Sequence, residues 1–341
     1  MRTIDWVAGD AGAAGHIRLV DQTQLPSRTA RLDIDTVEDL IAAIQRLSVR
    51  GAPALGVAGA MGVALAAQRL SVADVRAAGA RIRAARPTAV NLAVGVDRTL
   101  RAFDASGPEG ALQSALTIRD TEIEACVAMA ARGADLVRGL SGKDSVTVMT
   151  ICNTGALAAV EHGTALGVVE KLHRCGHLAS AIALETRPLL QGARLTAWEL
   201  DRMGADYQLI IDSAAASVLA GGNVDVVLVG ADRIAANGDT ANKIGTFALA
   251  IAARHLGVPF LVVAPESTVD EETATGADIE IEDRGSDEVC SFAGVRTAPQ
   301  GARTRNPAFD VTPGELITAI VTDRRVIDRQ PTDSTAASIG T

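Results

Sequence analysis

Two chemically useful side chains stand just past apolar, strand-like runs: Cys152 in VTVMTICNTGALA (146–158) and Asp232 in VDVVLVGADRIAANGDTANKIG (224–245). A thiolate is a competent base or nucleophile. A carboxyl group moved into a less polar pocket has a raised pKa and can pass protons. Each residue also has a plain structural explanation, since a Cys after a strand can be a small core residue and an Asp there can cap a helix.

Cys152-Asn-Thr-Gly155 reads as a small-residue turn that opens a helix near Gly155, whose positive end would favour thiolate. Arg50-Gly51-Ala52-Pro53 puts a guanidinium and free amides at the head of another helix, either a phosphate clamp or an ordinary tight helix start. Arg86-Pro87-Thr88 repeats the theme more weakly. Asn242-Lys243 precede an apolar helix-like segment and could donate to phosphate or sugar hydroxyls. Glu185 to Gln191 follow the strand-like run 178–184. Four consecutive strand ends thus deliver polar groups: Cys152, Glu185 to Gln191, Asp212 and Asp232. Open α/β sheets bind ligands along that carboxyl edge.

The elements that must position these groups fall into two stretches. Residues 3–8 and 16–20, around a Gly/Ala-rich turn, predict a short hairpin. From 36 to 138 the pattern is helical: Thr36-Val-Glu-Asp39 suits a cap, and segments 53–69, 72–85, 89–105 and 110–138 are punctuated by Pro53, Ser71, Pro87 and Pro108. After Gly142, strand-like runs at 145–151, 178–184, 206–212, 224–230 and 259–264 alternate with helix-like segments at 155–174, 192–203, 213–221 and 243–257. That alternation predicts an α/β fold with a parallel, doubly wound, Rossmann-like C-terminal domain and a smaller, mainly helical N-terminal domain. The expected divisions are 1–128, 129–330 and a disordered tail over 331–341, with a further strand at IEIE (279–282) and a helix at 312–321.

Composition excludes several classes. At 341 residues the chain suits about two domains of roughly 150 residues each. Hydrophobic residues make up 48% and aromatics 2%, so the core must be built from Ala, Val, Leu and Ile. Net charge is −9 without a basic block, which argues against a nucleic-acid or anionic-membrane partner. The start MRTIDWVAGDAG lacks a signal-peptide pattern, and no run approaches the roughly 20 apolar residues of a membrane span. The four cysteines (126, 152, 175 and 290) form no CxxC pair, which argues against a zinc site or disulfide framework and for a reducing cytoplasm. GxGxxG, GxxxxGK[ST] and GxSxG are absent. The five histidines (16, 162, 173, 177 and 255) read as surface or packing residues.

VRGAPALG, RPTAVNL, MTICNTGALA, ETRPLLQGARLTAWEL, GADRIAANGDTANKIGT and GVRTAP…NPAFDVTPGELI resemble the methylthioribose-1-phosphate isomerases of methionine salvage, over nearly the whole chain. The wider family also holds isomerases of other phosphorylated pentoses and non-catalytic regulatory subunits of the translation-initiation exchange factor. The resemblance implies that Cys152 and Asp232 are the catalytic pair. It implies that Arg50, Gly51, Ala52, Arg86, Gln191, Asn242 and Lys243 hold the substrate. It further implies an aldose–ketose isomerase that is a homodimer and needs no metal or organic cofactor. Val94, where relatives often have Trp, and Glu266, in place of an apolar residue, depart from the pattern. Neither is a catalytic position; a change at either is expected to act at the pocket rim, and so on the exact sugar and not on the reaction type.

Overall fold

The computed structural model describes residues 1–9 and 14–329. The expected tail at 331–341 and the centre of the first turn lie outside the described residues. Strands β1 (Ile4–Val7), β2 (His16–Val20) and β3 (Arg31–Ile34) form an antiparallel sheet in that order. The third strand was not expected, because its period-2 pattern, RLDI, is only four residues long.

Helix α1 (Val37–Gln45) starts where Thr36 accepts from the Asp39 N–H, so the capping sequence works as its residue types suggest. α2 (Ala52–Arg69) is buried on all sides from Pro53 to Ala67 and forms the centre of the first core. α3 (Val72–Ala84) and the long α4 (Val90–Ser141) pack around it. Close contact depends on small residues: a Cβ at Gly95 would lie 2.1 Å from the Gly56 carbonyl oxygen. α4 bends at Ser106 and Gly107, directly before Pro108, which is where the punctuation separated two helices.

The chain then alternates as expected. In order come β4 (Val146–Thr150), α5 (Ala156–Ala159), α6 (Ala165–Arg174), β5 (Leu178–Leu184), α7 (Ala197–Met203) after a π-turn at Gly192–Thr196, β6 (Tyr207–Ile210), α8 (Ala215–Ala220) and β7 (Val226–Val229). A small ribbon follows, β8 (Arg233–Ala235) and β9 (Thr240–Lys243), then α9 (Thr246–His255) and β10 (Phe260–Val263). β11 (Val269–Asp270), α10 (Asp287–Cys290), β12 (Ser291–Phe292), β13 (Val295–Arg296), β14 (Phe309–Thr312), β15 (Ala319–Val321) and β16 (Val326–Asp328) complete it.

The central sheet has the order β16-β15-β10-β7-β4-β5-β6 and is parallel except for β16. Alternate residues serve opposite faces. Val146, Val148, Val226 and Leu228 pack with residues of α4, α6 and α7, while Met149, Val227 and Val229 pack with those of α8 and α9. The second half of α4, from Cys126 to Val137, belongs to the sheet's core, whereas its first half belongs to the helical one.

Three expectations need correction. IEIE (279–282) is not a strand; only Asp283 makes an isolated bridge, to Pro307, because this segment covers a cavity instead of joining a sheet edge. The expected helix at 312–321 is a 3-10 turn (Gly314–Leu316) and the buried strand β15. A short apolar run fits either period, and parallel pairing to β10 decided the outcome. The helix at 155–174 is broken at 160–164, where Val160 has a φ of 74° and Gly163 one of 99°.

Glu122, on α4, has a buried Oε2 with no hydrogen-bond partner among the described residues. Burial, reinforced by the Asp323 charge, pushes its carboxyl up to about 7 from an ordinary 4.5. The folded state therefore binds a proton that the unfolded chain releases. Stability should fall as pH rises from about 4.5 to about 7, by about 3 kcal/mol once the group is ionised. Glu122→Gln is expected to remove most of that loss, giving a higher Tm than the parent at pH 8 and little difference at pH 4. A parent melt indifferent to pH across this window would contradict the assignment.

Candidate active site

The carboxyl ends of β5, β4 and β7 lie side by side, and each leads a different polar residue into one cleft: Gln191, Cys152 and Asp232. The cleft encloses about 210 Å3. Its walls also include Arg50, Gly51, Ala52, Arg86 and Lys243. Eight of the nine residues singled out from the sequence thus converge. Asn242 does not line the cavity; its Nδ2 donates to Thr246 Oγ1 at 3.0 Å and so fixes the start of α9. Of the strand-end groups, Glu185 and Asp212 also stay outside.

Cys152 is buried and has a φ of 66°, in the left-handed region that a side chain with a Cβ rarely adopts. Strain of this kind, roughly 1–3 kcal/mol, persists only where neighbours over-determine the backbone. Here they do. The Cys152 N–H donates to Thr186 Oγ1 at 2.8 Å, and its carbonyl accepts from Thr196 Oγ1 at 2.6 Å. Asp212 takes the N–H groups of Thr186 and Arg187, both at 2.7 Å, so it stabilises the loop that holds the cysteine.

The expected helix terminus does not serve Cys152. α5 is a single turn, and its Ala156 and Leu157 N–H groups donate to the buried Glu199 carboxylate at 2.8 and 3.4 Å. The positive surroundings come instead from side chains, since Arg50 and Lys243 both lie within electrostatic reach of Cys152 and Asp232. Glu199 also accepts from Asn153 Nδ2 at 2.8 Å. Asn153 in turn accepts from Arg50 through its carbonyl, at 3.0 Å, and its side-chain oxygen. Sequence reasoning overlooked Glu199 because nothing marks a lone acid within a helix as buried. Glu199→Ala should leave the Ala156 and Leu157 amides without their acceptor and Asn153 Nδ2 with Thr196 Oγ1 alone, at 3.3 Å, and cost about 3 kcal/mol of stability. A urea midpoint equal to that of the parent would rule this out.

Arg50 is held by Asn153 and by Gln22 Oε1, at 3.1 Å from its Nε, and among the described residues has no carboxylate ion-pair partner. Burial lowers its pKa, an effect opposed by Cys152, Glu199 and Asp232. Gly51 makes the sharp approach to α2 possible. Its φ is 91°, and a Cβ there would meet Ala158 at 2.6 Å. The start of an 18-residue helix consequently faces the cavity beside a guanidinium, an arrangement suited to an anion.

Lys243 was expected just before a helix but lies on β9, where its Nζ donates to the Ala308 carbonyl at 2.8 Å and sits 4.7 Å from the Phe309 ring centre. Burial lowers its pKa, against the raising effects of Cys152 and Asp232. Asp232 is not a helix cap: its N–H donates to the Ala241 carbonyl at 2.9 Å and the chain continues into β8. Its desolvated position pushes the carboxyl upward, opposed by Lys243, Arg86 and Arg50. A chain of net charge −9 therefore gathers Arg50, Arg86, Lys243 and Arg284 around a carboxyl biased toward its protonated form. This suits acid–base chemistry on a small phosphorylated molecule.

Among the described residues, no group of three or more His, Cys, Asp or Glu is placed to hold a metal ion. Among them, too, no helix is long and apolar enough to cross a membrane.

The family model for the initiation factor 2 subunit family matches residues 48–328. A methylthioribose-1-phosphate isomerase from Anaeromyxobacter dehalogenans is 50% identical over 326 residues, 95% of this chain and 94% of the relative. A relative from Nocardia farcinica, named "Probable bifunctional methylthioribose-1-phosphate isomerase/methylthioribulose-1-phosphate dehydratase", is 50% identical over 92% of this chain, which spans 58% of that protein. The crystal structure of 5-methylthioribose 1-phosphate isomerase from Pyrococcus horikoshii OT3 superposes with a TM-score of 0.87 at 39% identity, covering 96% of this chain and 92% of that one. The translation initiation factor eIF-2B subunit delta from A. fulgidus gives a TM-score of 0.83 at 41% identity, covering 96% of both chains.

Proposed function

The chain belongs to the initiation factor 2 subunit family, and on that basis we propose that it isomerises 5-methylthioribose 1-phosphate to 5-methylthioribulose 1-phosphate in methionine salvage. The observation that carries this reading is the joint presence of Cys152 and Asp232 on the walls of one cation-lined cavity. In the proposed roles Arg50, Arg86, Lys243 and the amides of Gly51 and Ala52 hold the phosphate. Gln191 contacts the sugar, and Asn242 acts through Thr246.

The C1 phosphate locks the sugar as a ring, so no free aldehyde is available. Protonated Asp232 donates to the ring oxygen as the ring C1–O bond opens. Cys152 thiolate takes the C2 proton and returns one to C1, while Asp232 accepts the proton of the C2 hydroxyl. Both groups end as they began. Hydride transfer from C2 to C1 would use Asp232 alike but leave Cys152 without a proton to carry. Washout of a C2 deuterium label supports proton transfer; complete retention counts against it.

The remaining parts of this reading are a division at about residue 128 into a helical unit and a Rossmann-like, doubly wound unit, a homodimer, and a cytoplasmic setting that keeps the four free thiols reduced. Two core clusters that meet along α4 support the division.

A related isomerase acting on 5-deoxyribose 1-phosphate is the second reading. The two substrates differ by a methylthio group, and burying it is worth only a few kcal/mol. Likeness to an eIF-2B subunit raises a third, a non-catalytic binding protein. Turnover of both sugar phosphates by the purified chain separates the three. Preference for methylthioribose 1-phosphate supports the proposal, preference for the deoxy sugar favours the second reading, and no turnover of either would overturn both isomerase readings.

A further inference from the structure

One wall of the cavity, formed by Ile279, Glu280, Ile281 and Arg284, comes from a segment without regular structure. A carboxylate outside the cavity lining fastens it. Glu282 Oε1 accepts from Arg284 at 3.2 Å; its Oε2 accepts from Thr88 Oγ1 at 3.2 Å and faces an Arg86 nitrogen at 3.5 Å. Arg284 is clamped separately by Glu288, at 2.8 Å from its Nε and 2.7 Å from a terminal nitrogen. Glu288 also accepts from Asn306 Nδ2 at 3.1 Å. The wall is thus braced internally by Glu288, while Glu282 reaches across 194 residues of sequence to the turn that carries Arg86. The side chains of Arg86, Arg284 and Glu282 are 16, 20 and 26% exposed, so salt screens this cluster less than it would a surface pair.

We infer that Glu282 is a positioning residue for the isomerase: it latches the 279–284 wall to the Arg86–Thr88 turn, aims Arg86 and Arg284 at the cavity, and limits access to Cys152. The catalytic consequence rests on the function proposed above; the latch itself is a property of the fold. Releasing it should expose the thiol and loosen the phosphate grip without removing a group that touches the reacting atoms.

The test compares Glu282→Ala and Glu282→Gln with the parent full-length chain. Alkylation of each cysteine by iodoacetamide is followed by peptide mass spectrometry, alongside kcat and KM for methylthioribose 1-phosphate. Exposed Cys175 controls for reagent, and buried Cys126 controls for global unfolding. Losing a charge-assisted hydrogen bond should raise both the Cys152 labelling rate and KM about tenfold in Glu282→Ala, with kcat changed less than about threefold. Glu282→Gln, which keeps an acceptor for Thr88, should recover most of the KM. Labelling and KM within about twofold of the parent in Glu282→Ala would overturn the latch, as would equal acceleration at Cys126, which would assign Glu282 to overall stability. If the parent does not turn over this sugar phosphate, the proposed function fails, while the labelling rates still decide the latch.

Discussion

Cys152→Ser is expected to lower kcat by about 10²–10⁴-fold while leaving the fold intact. The hydroxyl fits the same buried space but is far less acidic than a thiol, so it provides no base near neutral pH. The backbone around it should not change. Its left-handed conformation is held by the N–H to Thr186 and by the carbonyl from Thr196, and neither bond uses the sulfur. Circular dichroism and the thermal midpoint should therefore match the parent. Nothing but the loss of turnover should mark the variant. Full activity in a folded Cys152→Ser protein would remove the thiol from the mechanism and leave it a core residue.

Asp232→Asn should cost a similar factor, and pH separates its role from that of the thiol. Burial biases this carboxyl toward its protonated form, opposed by Lys243, Arg86 and Arg50. In the proposed role of the acid that opens the ring it must start protonated, so kcat/KM should decline as pH rises through the raised pKa of Asp232. A bound phosphate offsets the opposing cations, which moves that decline to higher pH in kcat than in kcat/KM. The same burial predicts that Asp232→Asn acts on stability with the opposite sign to its effect on activity. Because the folded carboxyl binds its proton more tightly than the unfolded one, its contribution weakens the fold as pH rises above the unfolded value. Asp232→Asn, which cannot ionise, is expected to melt higher than the parent at neutral pH while being nearly inactive. An active variant, or an inactive one with a lower melting temperature, would show that Asp232 supports the structure instead of the chemistry.

The joint outcome matters more than either alone. If Cys152 and Asp232 serve one proton relay, the double variant should lose little more than the worse single variant, because groups that act as a unit are not additive. Additive losses would mean that they assist separate steps.

Much of this protein was determined by local sequence. The strand–helix alternation after Gly142 follows from period and punctuation, as do the Thr36 cap and the break at Pro108. Strand ends with polar residues identified Cys152 and Asp232 because a parallel sheet places every carboxyl end along one edge. The convergence of Arg50 and Arg86 on that edge was foreseen from family resemblance, since their own spacing also fits ordinary helix starts.

What the tertiary structure alone decided is of another kind. The strand order, with β4 between β5 and β7, puts the thiol beside Gln191 and Asp232, and order cannot be read from a chain whose crossovers all look alike. ITAIV became a strand because β10 offered a free edge, although the segment's period was ambiguous. Glu199 and Glu282 look like any surface acid in sequence. Their partners lie 42 to 46 and 194 residues away, and only folding shows that one completes the Asn153–Arg50 support and the other joins two cavity walls. Local periodicity sets which face each residue presents, whereas long-range pairing sets what that face meets.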